Sequence, residues 1–370
     1  MNKKKLFILA GPLDNQNAGV YRVTSELING LHAMHNCPFE VTLIRDKSDG
    51  QFPKFITKVI PTFKKIPGFQ SFRLFFMVPL YCWLKKADIV FEPAHFGPFN
   101  LPSRIKRVTF IHDLTPIILP DFHTFNGSVL QKLFLPRILK KTDLIICNSE
   151  NTKHDLHKVY PFTKKKVEAI YLGISEFFKH TSERDAQIKF DINKPYFLSV
   201  NTIEPRKNIE TLLKAFHLYK AETESDNKLV LVGGKGWKNE DIYKAIENHN
   251  FKSDIILTGF VTNEELIQLY SHCKSFIYPS QYEGFGLPVL EAAFCNAPVI
   301  VANNSSLKEI APHNELVFDT MSADDLSTKM KLIETKEFVQ NQEELRTMYN
   351  WKAFTAKFSD NLISLSKTHN

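Results

Sequence analysis

Residues 276–292 read FIYPSQYEGFGLPVLEA. The stretch opens as a short β-rich apolar run, passes through a loop with two glycines, and closes in a helical pattern. Pro288 suits the first turn of a helix, where its missing N–H leaves no bond unmade. The spacing therefore predicts a strand FIYP at Phe276 and a helix starting near Leu287. Gly284 and Gly286 let the loop backbone come close to a ligand. The N–H groups of Gly286 and Leu287 would then face an anion such as phosphate. Glu283 stands before the turn and Glu291 after it, so each reaches a different part of one ligand. Two carboxylates beside an anion site are costly unless they bind hydroxyls, which sugars and ribose supply.

The same strand–loop–helix unit recurs along the chain. In the first half the candidate strands are LFILA at Leu6, VTLI at Val41, IVF at Ile89, VTFI at Val108, LIIC at Leu144 and VEAIYL at Val167. In the second half they are YFLSV at Tyr196, LVLVG at Leu229, IILTG at Ile255, FIYP, VIVA at Val299 and LVF at Leu316. Near-continuous apolar runs separated by amphipathic segments are the mark of buried parallel strands. Such alternation predicts a doubly wound α/β architecture. Helices are expected over residues 20–35, 208–222 and 263–273. Thr262 with Glu265, and Ser306 with Glu309, read as capping boxes, and Ser149 as a helix N-cap. A polar break over residues 179–194 separates two sets of strands. The expected organisation is two Rossmann-like domains, 1–185 and 186–345, followed by a helical segment 346–370 that carries Trp351.

Open α/β sheets bind ligands at the carboxyl ends of their strands. The unusual residues collect there. Strand one is followed by GPLDNQNAG with Gly11 and Gly19, VTFI by His112-Asp113, and YFLSV by NTIEPRKN with Arg206 and Lys207. LVLV is followed by GGKGW, and IILT by GFV. Two facing domains would bring these ends to one central cleft. Arg206 and Lys207 carry the charge that a diphosphate needs. Each piece also has a plain reading: a tight turn for GxG, a solvated face for Arg-Lys, a structural role for His-Asp. GGKGW lacks the GxxxxGK[ST] spacing of a P-loop.

The 370 residues carry a formal charge of +7, unevenly spread. Residues 1–185 hold 27 Lys and Arg against 16 Asp and Glu, while residues 186–370 hold 20 against 24. Five scattered cysteines without CxxC spacing suggest reduced thiols and a cytoplasmic protein. The apolar part of the N-terminus, residues 6–10, is shorter than the roughly 7–15 residues of a secretory core. The most membrane-like run, residues 74–84, is shorter than the ~18 residues of a spanning helix.

Taken together, EGFGLPVLEA at Glu283, IEPRKN at Ile203, LVGGKGW at Leu231, LTGFV at Leu257 and IHDLTP at Ile111 resemble the retaining glycosyltransferases of family 4. The resemblance runs from the first loop to the W-x-x-x-T pattern at Trp351. It implies the GT-B fold, with a C-terminal helix crossing back to the N-terminal domain, and leans towards the mannosyltransferase-like branch. It also implies roles. Arg206 and Lys207 would neutralise the donor diphosphate, and Glu291 would hold ribose hydroxyls. Glu283, with the backbone of Gly284, Phe285, Gly286 and Leu287, would hold donor sugar and phosphate. His112 would reach the transferred sugar, making Glu283 and His112 the catalytic pair. Phe260 and Val261 would face the base, and Gly19 would line the diphosphate. No metal and no cofactor are expected beyond a nucleotide diphosphate sugar donor, GDP-mannose favoured. Retention would not use the closely spaced carboxylates of a glycosidase. Two places depart from the family pattern. Val200-Asn201 stands where many relatives have GR, and AGVYR at Ala18 keeps one glycine of a usual pair.

The implied activity is transfer of a hexose to a glycan acceptor in bacterial surface polysaccharide synthesis. A GT-B nucleotide-sugar epimerase is the alternative enzyme. A nucleic-acid module, suggested by the basic balance, is opposed by the acidic second half and by the absence of an RNP-like or zinc-finger pattern. Residues 54–87 hold seven cations and no acid: Lys54, Lys58, Lys64, Lys65, Arg73, Lys85 and Lys86. Aromatic residues alternate with them. This basic stretch, 54–86, reads either as a solvated face or as a surface for an anionic inner leaflet and a lipid-linked acceptor.

Overall fold

The computed structural model describes residues 3–15, 18–47, 50–63, 66, 68–97, 100–122 and 125–367. The chain forms two compact units. The first contains Met1–Gly173 and Tyr349–Asn370, and the second Ile174–Met348.

The first unit is built on a parallel sheet. Its strands are β1 (Lys4–Leu9), β2 (Phe39–Arg45), β3 (Ile56–Val59), β4 (Ile89–Glu92), β5 (Lys106–Ile111), β6 (Leu144–Cys147) and β7 (Val167–Ala169). They lie side by side in the order β3-β2-β1-β4-β5-β6-β7. The central strands bury both faces: Leu6, Ile8, Phe91, Phe110 and Ile146 have no exposed surface. That double burial is why they read as unbroken apolar runs. The edge strand β3, sequence ITKV, is largely exposed and was not among the expected strands. An edge strand covered on one side only has no reason to be apolar throughout.

The second unit repeats the plan with β8 (Tyr196–Val200), β9 (Lys228–Val232), β10 (Ile255–Gly259), β11 (Ser275–Tyr278), β12 (Val299–Ala302) and β13 (Val317–Phe318). Their order is β10-β9-β8-β11-β12-β13, all parallel. The winding direction reverses between β8 and β11, which pair through Phe197 with Ser275 and Leu198 with Phe276. Where neighbouring strands connect in opposite directions, a crevice opens at their carboxyl ends.

The boundaries differ from those expected from composition. The polar segment read as a break belongs to the second unit, because its polar groups bond to the helix Asn263–His272. Thr181 N donates to Ser271 Oγ at 3.1 Å, Ala186 N to Gln268 Oε1 at 2.7 Å, and Gln187 Nε2 to the Gln268 carbonyl at 3.0 Å. The C-terminal segment is likewise divided. The helix Gln342–Met348 stays with the second unit, where Arg346 lies 4.7 Å over the Phe294 ring. The helix Trp351–Lys367 belongs to the first unit. There Phe358 packs edge-on to Phe91 at 4.8 Å, and Phe354 lies against Phe110 at 6.3 Å. Tyr349 and Asn350 separate the two helices, and Asn350 Oδ1 accepts from Ala353 N at 2.7 Å in the manner of an N-cap.

Two of the three local helix-start readings are met. Thr262 and Glu265 form a reciprocal capping box, and Ser149 Oγ accepts from Thr152 N at 3.0 Å. The box expected at Ser306 and Glu309 does not form. The helix there is Ser305–Ile310, and the Ser306 hydroxyl is committed to another loop.

Candidate functional site

In the second unit, the crevice at the β8–β11 reversal is lined by the two loops that the sequence singled out. The loop after β8 is zipped to the loop after β9. Ile203 N donates to the Gly234 carbonyl at 3.0 Å, and Gly236 N donates to the Ile203 carbonyl at 3.0 Å. A Cβ on Gly236 would stand 2.8 Å from the Ile203 oxygen, so the close approach requires glycine. The glycines of GGKGW thus hold the neighbouring loop in place rather than form a P-loop.

A single 3-10 turn, Pro205–Lys207, then presents Arg206 and Lys207. Asn208 closes the turn in the left-handed region, at φ 55°, and its Nδ2 donates to the carbonyls of Pro279 (3.1 Å) and Thr320 (2.7 Å). The turn is therefore tied to the end of β11. Gln281 N completes the tie by donating to the Arg206 carbonyl at 2.9 Å.

Four charged groups and a phenol meet there. Arg206 reaches Glu204 Oε1 at 3.0 Å with Nη2, and Glu283 Oε1 at 3.0 Å and the Tyr282 carbonyl at 2.7 Å with Nη1. Lys207 Nζ lies 2.5 Å from the same Glu283 oxygen and 3.1 Å from Tyr278 Oη. Tyr278 Oη also donates to Glu283 Oε1, at 3.3 Å. Lys207 and Glu204 are buried. Burial alone would raise the Glu283 carboxyl, but Lys207 and Arg206 outweigh it and hold its pKa at about 2. Burial pulls the Lys207 ammonium down and the Glu283 charge more than reverses it, so Lys207 stays protonated. Burial raises Glu204, opposed by Arg206. The network is a pair of cations held between two carboxylates in a low-dielectric setting.

The backbone after Glu283 is braced from the side. Ser305 Oγ accepts from Glu283 N at 2.9 Å, and the single proton of Ser306 Oγ is shared between the carbonyls of Glu283 (2.9 Å) and Phe285 (2.8 Å). Gly286 sits at φ 99°, and a Cβ there would lie 2.8 Å from Leu307 Cδ2. Both facts demand glycine. The helix Leu287–Phe294 starts immediately afterwards with Pro288 in its first turn, as expected. Glu291 is buried on that helix. Tyr270 Oη donates to its Oε2 at 3.5 Å, and burial together with Glu291 keeps the Tyr270 phenol protonated. Glu291 and Glu283 thus occupy separate bonding environments. Phe260, at the end of β10, is 84% exposed and leans over Gly234. Val261 follows it, half-buried. Asn201, one of the two departures from the family pattern, donates to Ser199 Oγ at 2.9 Å and supplies no cation.

The remaining expected residues lie in the first unit. His112 follows β5. Its Nε2 lies 2.8 Å from the Pro93 carbonyl, and its backbone N–H donates to His95 Nε2 at 2.7 Å. Burial and the neighbouring His95 lower its pKa to about 4, so the ring is neutral. The Pro93 contact then places the proton on Nε2. Gly19 is exposed in the first turn of the helix Ala18–Ala33, with nothing within 4 Å of a Cβ placed on it. Among the described residues, no three His, Cys, Asp or Glu side chains gather to hold a metal.

Sequence reasoning alone did not single out Glu204, Tyr278, Ser305 or Tyr270, and it read Ser306 as a helix cap rather than as a brace for the loop 283–285. Glu204 sits inside EPRKN and Tyr278 at the end of FIYP, so both were adjacent to the signal. The two serines come from a helix start more than twenty positions downstream.

Two parallel Rossmann-like sheets with the crevice residues on the second define the GT-B class. A profile described as Glycosyl transferases group 1 matches residues 181–353, and one described as Glycosyltransferase Family 4 matches residues 18–176. The chain belongs to the family 4 glycosyltransferases. It is 32% identical over 239 residues to the O-antigen chain mannosyltransferase B of Escherichia coli, covering 63% of each chain. It is 28% identical over 375 residues to the serotype-specific mannosyltransferase WbdA of Escherichia coli, covering 93% of this chain and 44% of that one. The chain thus spans less than two thirds of the length of these curated relatives. A glycosyltransferase from Rickettsia africae superposes with a TM-score of 0.75 at 16% identity over the full length of both chains. Anabaena HepE in complex with UDP-glucose superposes at 0.72 and 18% identity, covering 98% of this chain and 100% of that one. At such identities these structures support the fold alone.

Proposed function

We infer that this protein is a retaining hexosyltransferase. It moves mannose from GDP-mannose to a glycan acceptor, carried on a lipid, in the synthesis of a bacterial surface polysaccharide. The observation that carries the reading is the Arg206–Lys207–Glu283 constellation at the β8–β11 crevice, beside the start of the helix Leu287–Phe294. The names of the mannosyltransferase relatives supply the sugar. In this reading Arg206, Lys207 and the amides of residues 284–287 stabilise the departing diphosphate in place of a metal ion. Glu283 holds the donor sugar, Glu291 the ribose, and Phe260 and Val261 the base. His112 reaches the transferred sugar, and Gly19 borders the diphosphate. The leaving phosphate accepts the acceptor proton on the same face, which preserves anomeric configuration. The reaction takes place on the cytoplasmic side.

The test is a melting-shift screen of nucleotide sugars, followed by transfer assays. GDP-mannose should give the largest stabilisation, growing with the logarithm of its concentration over Kd. Transfer to a mannosylated acceptor should give an α-linked product by NMR and should continue in EDTA. Stabilisation by no nucleotide sugar would refute the donor site. Inversion at the anomeric carbon would refute retention, and metal-reversible loss in EDTA would refute the metal-free mechanism. Interconversion of the donor sugar without acceptor would favour the epimerase reading.

A further inference from the structure

The basic, aromatic stretch of the first unit is separate from the crevice residues. The helical run over residues 69–84 consists of Phe69–Phe72, a π-helical turn Arg73–Met77, and Val78–Leu84. Its inner face buries Val78 and Cys82 in a cluster with Phe7, Leu9, Ile44 and Val90. Its outer face should be polar if it met only water. Instead it carries Phe72, Phe76, Leu80, Trp83 and Leu84, each between 49% and 62% exposed. Their spacing of four, four, three and one positions sets them along one side. Phe72 and Phe76 stack at 5.3 Å, and Phe69 links them to the exposed Phe63 at 5.0 Å. An apolar ridge of this length is uncommon on a surface that faces only solvent.

The ridge is bordered by cations. Lys58 Nζ lies 5.5 Å from the centre of the Tyr81 ring, and Arg104 Nη2 donates to the Trp83 carbonyl at 2.9 Å. Lys85 and Lys86 follow the helix, both exposed. Two carboxylates of this region are already paired. Asp46 pairs with Arg73 at 2.8 Å, and Asp88 accepts from Lys5 N at 2.8 Å. Lys64 and Lys65 lie outside the described residues and play no part here.

We propose that this ridge is the surface by which the protein lies on a bilayer containing anionic lipid. Phe72, Phe76, Leu80, Trp83 and Leu84 enter the headgroup–acyl boundary while Lys58, Lys85, Lys86 and Arg104 meet phosphate headgroups. The chemistry fits a membrane plane: large apolar side chains in a row, flanked by cations, on a helix that lies in the interface. Among the described residues, no helix is long and apolar enough to cross the membrane. A second copy fits less well, because a two-fold contact would set the same lysines against each other. This inference stands apart from the donor site, so each can fail without the other.

The experiment uses the full chain with phosphatidylcholine vesicles, with and without phosphatidylglycerol. Trp83 and Trp237 are exposed and Trp351 is buried, so Trp237→Phe leaves Trp83 as the reporting indole. The protein should sediment with the anionic vesicles only. Trp83 emission should shift to the blue and be quenched by brominated lipid. Binding should weaken in about 0.5 M salt, where the screening length is roughly 4 Å. The triple change Lys58→Glu, Lys85→Glu, Lys86→Glu should lower partitioning on the order of a hundredfold. The pair Phe76→Ser, Leu80→Ser should lower it on the order of tenfold or more. Nucleotide-induced melting shifts should be unchanged in both. Equal binding to neutral vesicles would overturn the proposal. So would an unshifted Trp83 on bound protein, or a dimer in solution that shields Trp83 and ignores vesicles. The single Trp237→Phe protein decides the matter even where a multiple variant fails to fold.

Discussion

Replacing Glu283 by Gln tests how the crevice balances its charges. One oxygen of this carboxylate receives Lys207 at 2.5 Å, Arg206 at 3.0 Å and Tyr278 at 3.3 Å. The amide keeps the shape and an acceptor but removes the charge. Two largely buried cations then lose the carboxylate they share, while Glu204 still faces Arg206. Removing one partner of a buried pair costs about 3–5 kcal/mol, and the retained acceptor puts this case near the low end. The second unit spans Ile174–Met348, a size at which 1 kcal/mol moves Tm by about 2–4 °C. The free variant should therefore melt on the order of 10 °C lower at neutral pH. The sign with pH follows from the depressed pKa. Glu283 stabilises the fold above the usual carboxylate range, and the stabilisation is lost as pH falls from about 4.5 towards about 2. The gap between variant and wild type should narrow over that window. In the proposed reading a nucleoside diphosphate brings negative oxygens to these two cations. By differential scanning fluorimetry it should raise the variant's Tm by more than the wild type's, while a plain nucleoside should not. In the proposed reading this carboxylate holds the reacting sugar, so transfer should fall through kcat. A variant melting within a degree or two of wild type would refute the charge argument. Equal shifts from nucleoside and diphosphate would show that the cations serve the fold only.

Arg206→Ala should weaken nucleoside diphosphate binding by about 1.5–3 kcal/mol, the worth of a charge-assisted contact, and calorimetry would read it directly. In the proposed reading Glu291 holds ribose alike before and during transfer, so Glu291→Gln should raise the donor KM with little change in kcat; a loss confined to kcat would contradict that role. Gly286→Ala forces φ 99° on an L side chain and sets a Cβ 2.8 Å from Leu307. It should cost roughly 1–3 kcal/mol in denaturant unfolding, and an unchanged midpoint would show that the loop relaxes freely. Burial raises the Glu92 carboxyl to about 8, although the Ala94 amide and Arg73 oppose it. The folded chain then holds a proton that the unfolded chain has released. Stability from this group is full below about pH 4.5 and declines by about 1.4 kcal/mol per unit until about pH 8. Glu92→Gln should flatten that decline in melting curves taken across the window.

Much of the fold was legible because burial on both faces leaves a one-dimensional trace. Strands such as LFILA and LVLV are apolar at every position, so no partner need be known to read them. Strand β3 left no such trace, being an exposed edge. Short-range polar signals divided by what else was within reach. Thr262 and Ser149 capped their own helices, whereas Ser306 was drawn to carbonyls of the loop 283–285. The polar segment near residue 185 looked like a linker until the helix Asn263–His272 supplied partners some eighty positions away. In the crevice, the residue types at the strand ends are legible locally: Arg206, Lys207, Glu283, Gly286 and Glu291. That Glu283 grips both cations, that Glu204 and Tyr278 complete the group, and that Glu291 is buried beside Tyr270 follow from the folded arrangement. Those pairings join residues up to 77 positions apart, and what brings them together is the reversal of winding between β8 and β11. Local composition records which groups a loop carries. The charge each group meets across the crevice depends on which strands lie next to each other in the folded sheet.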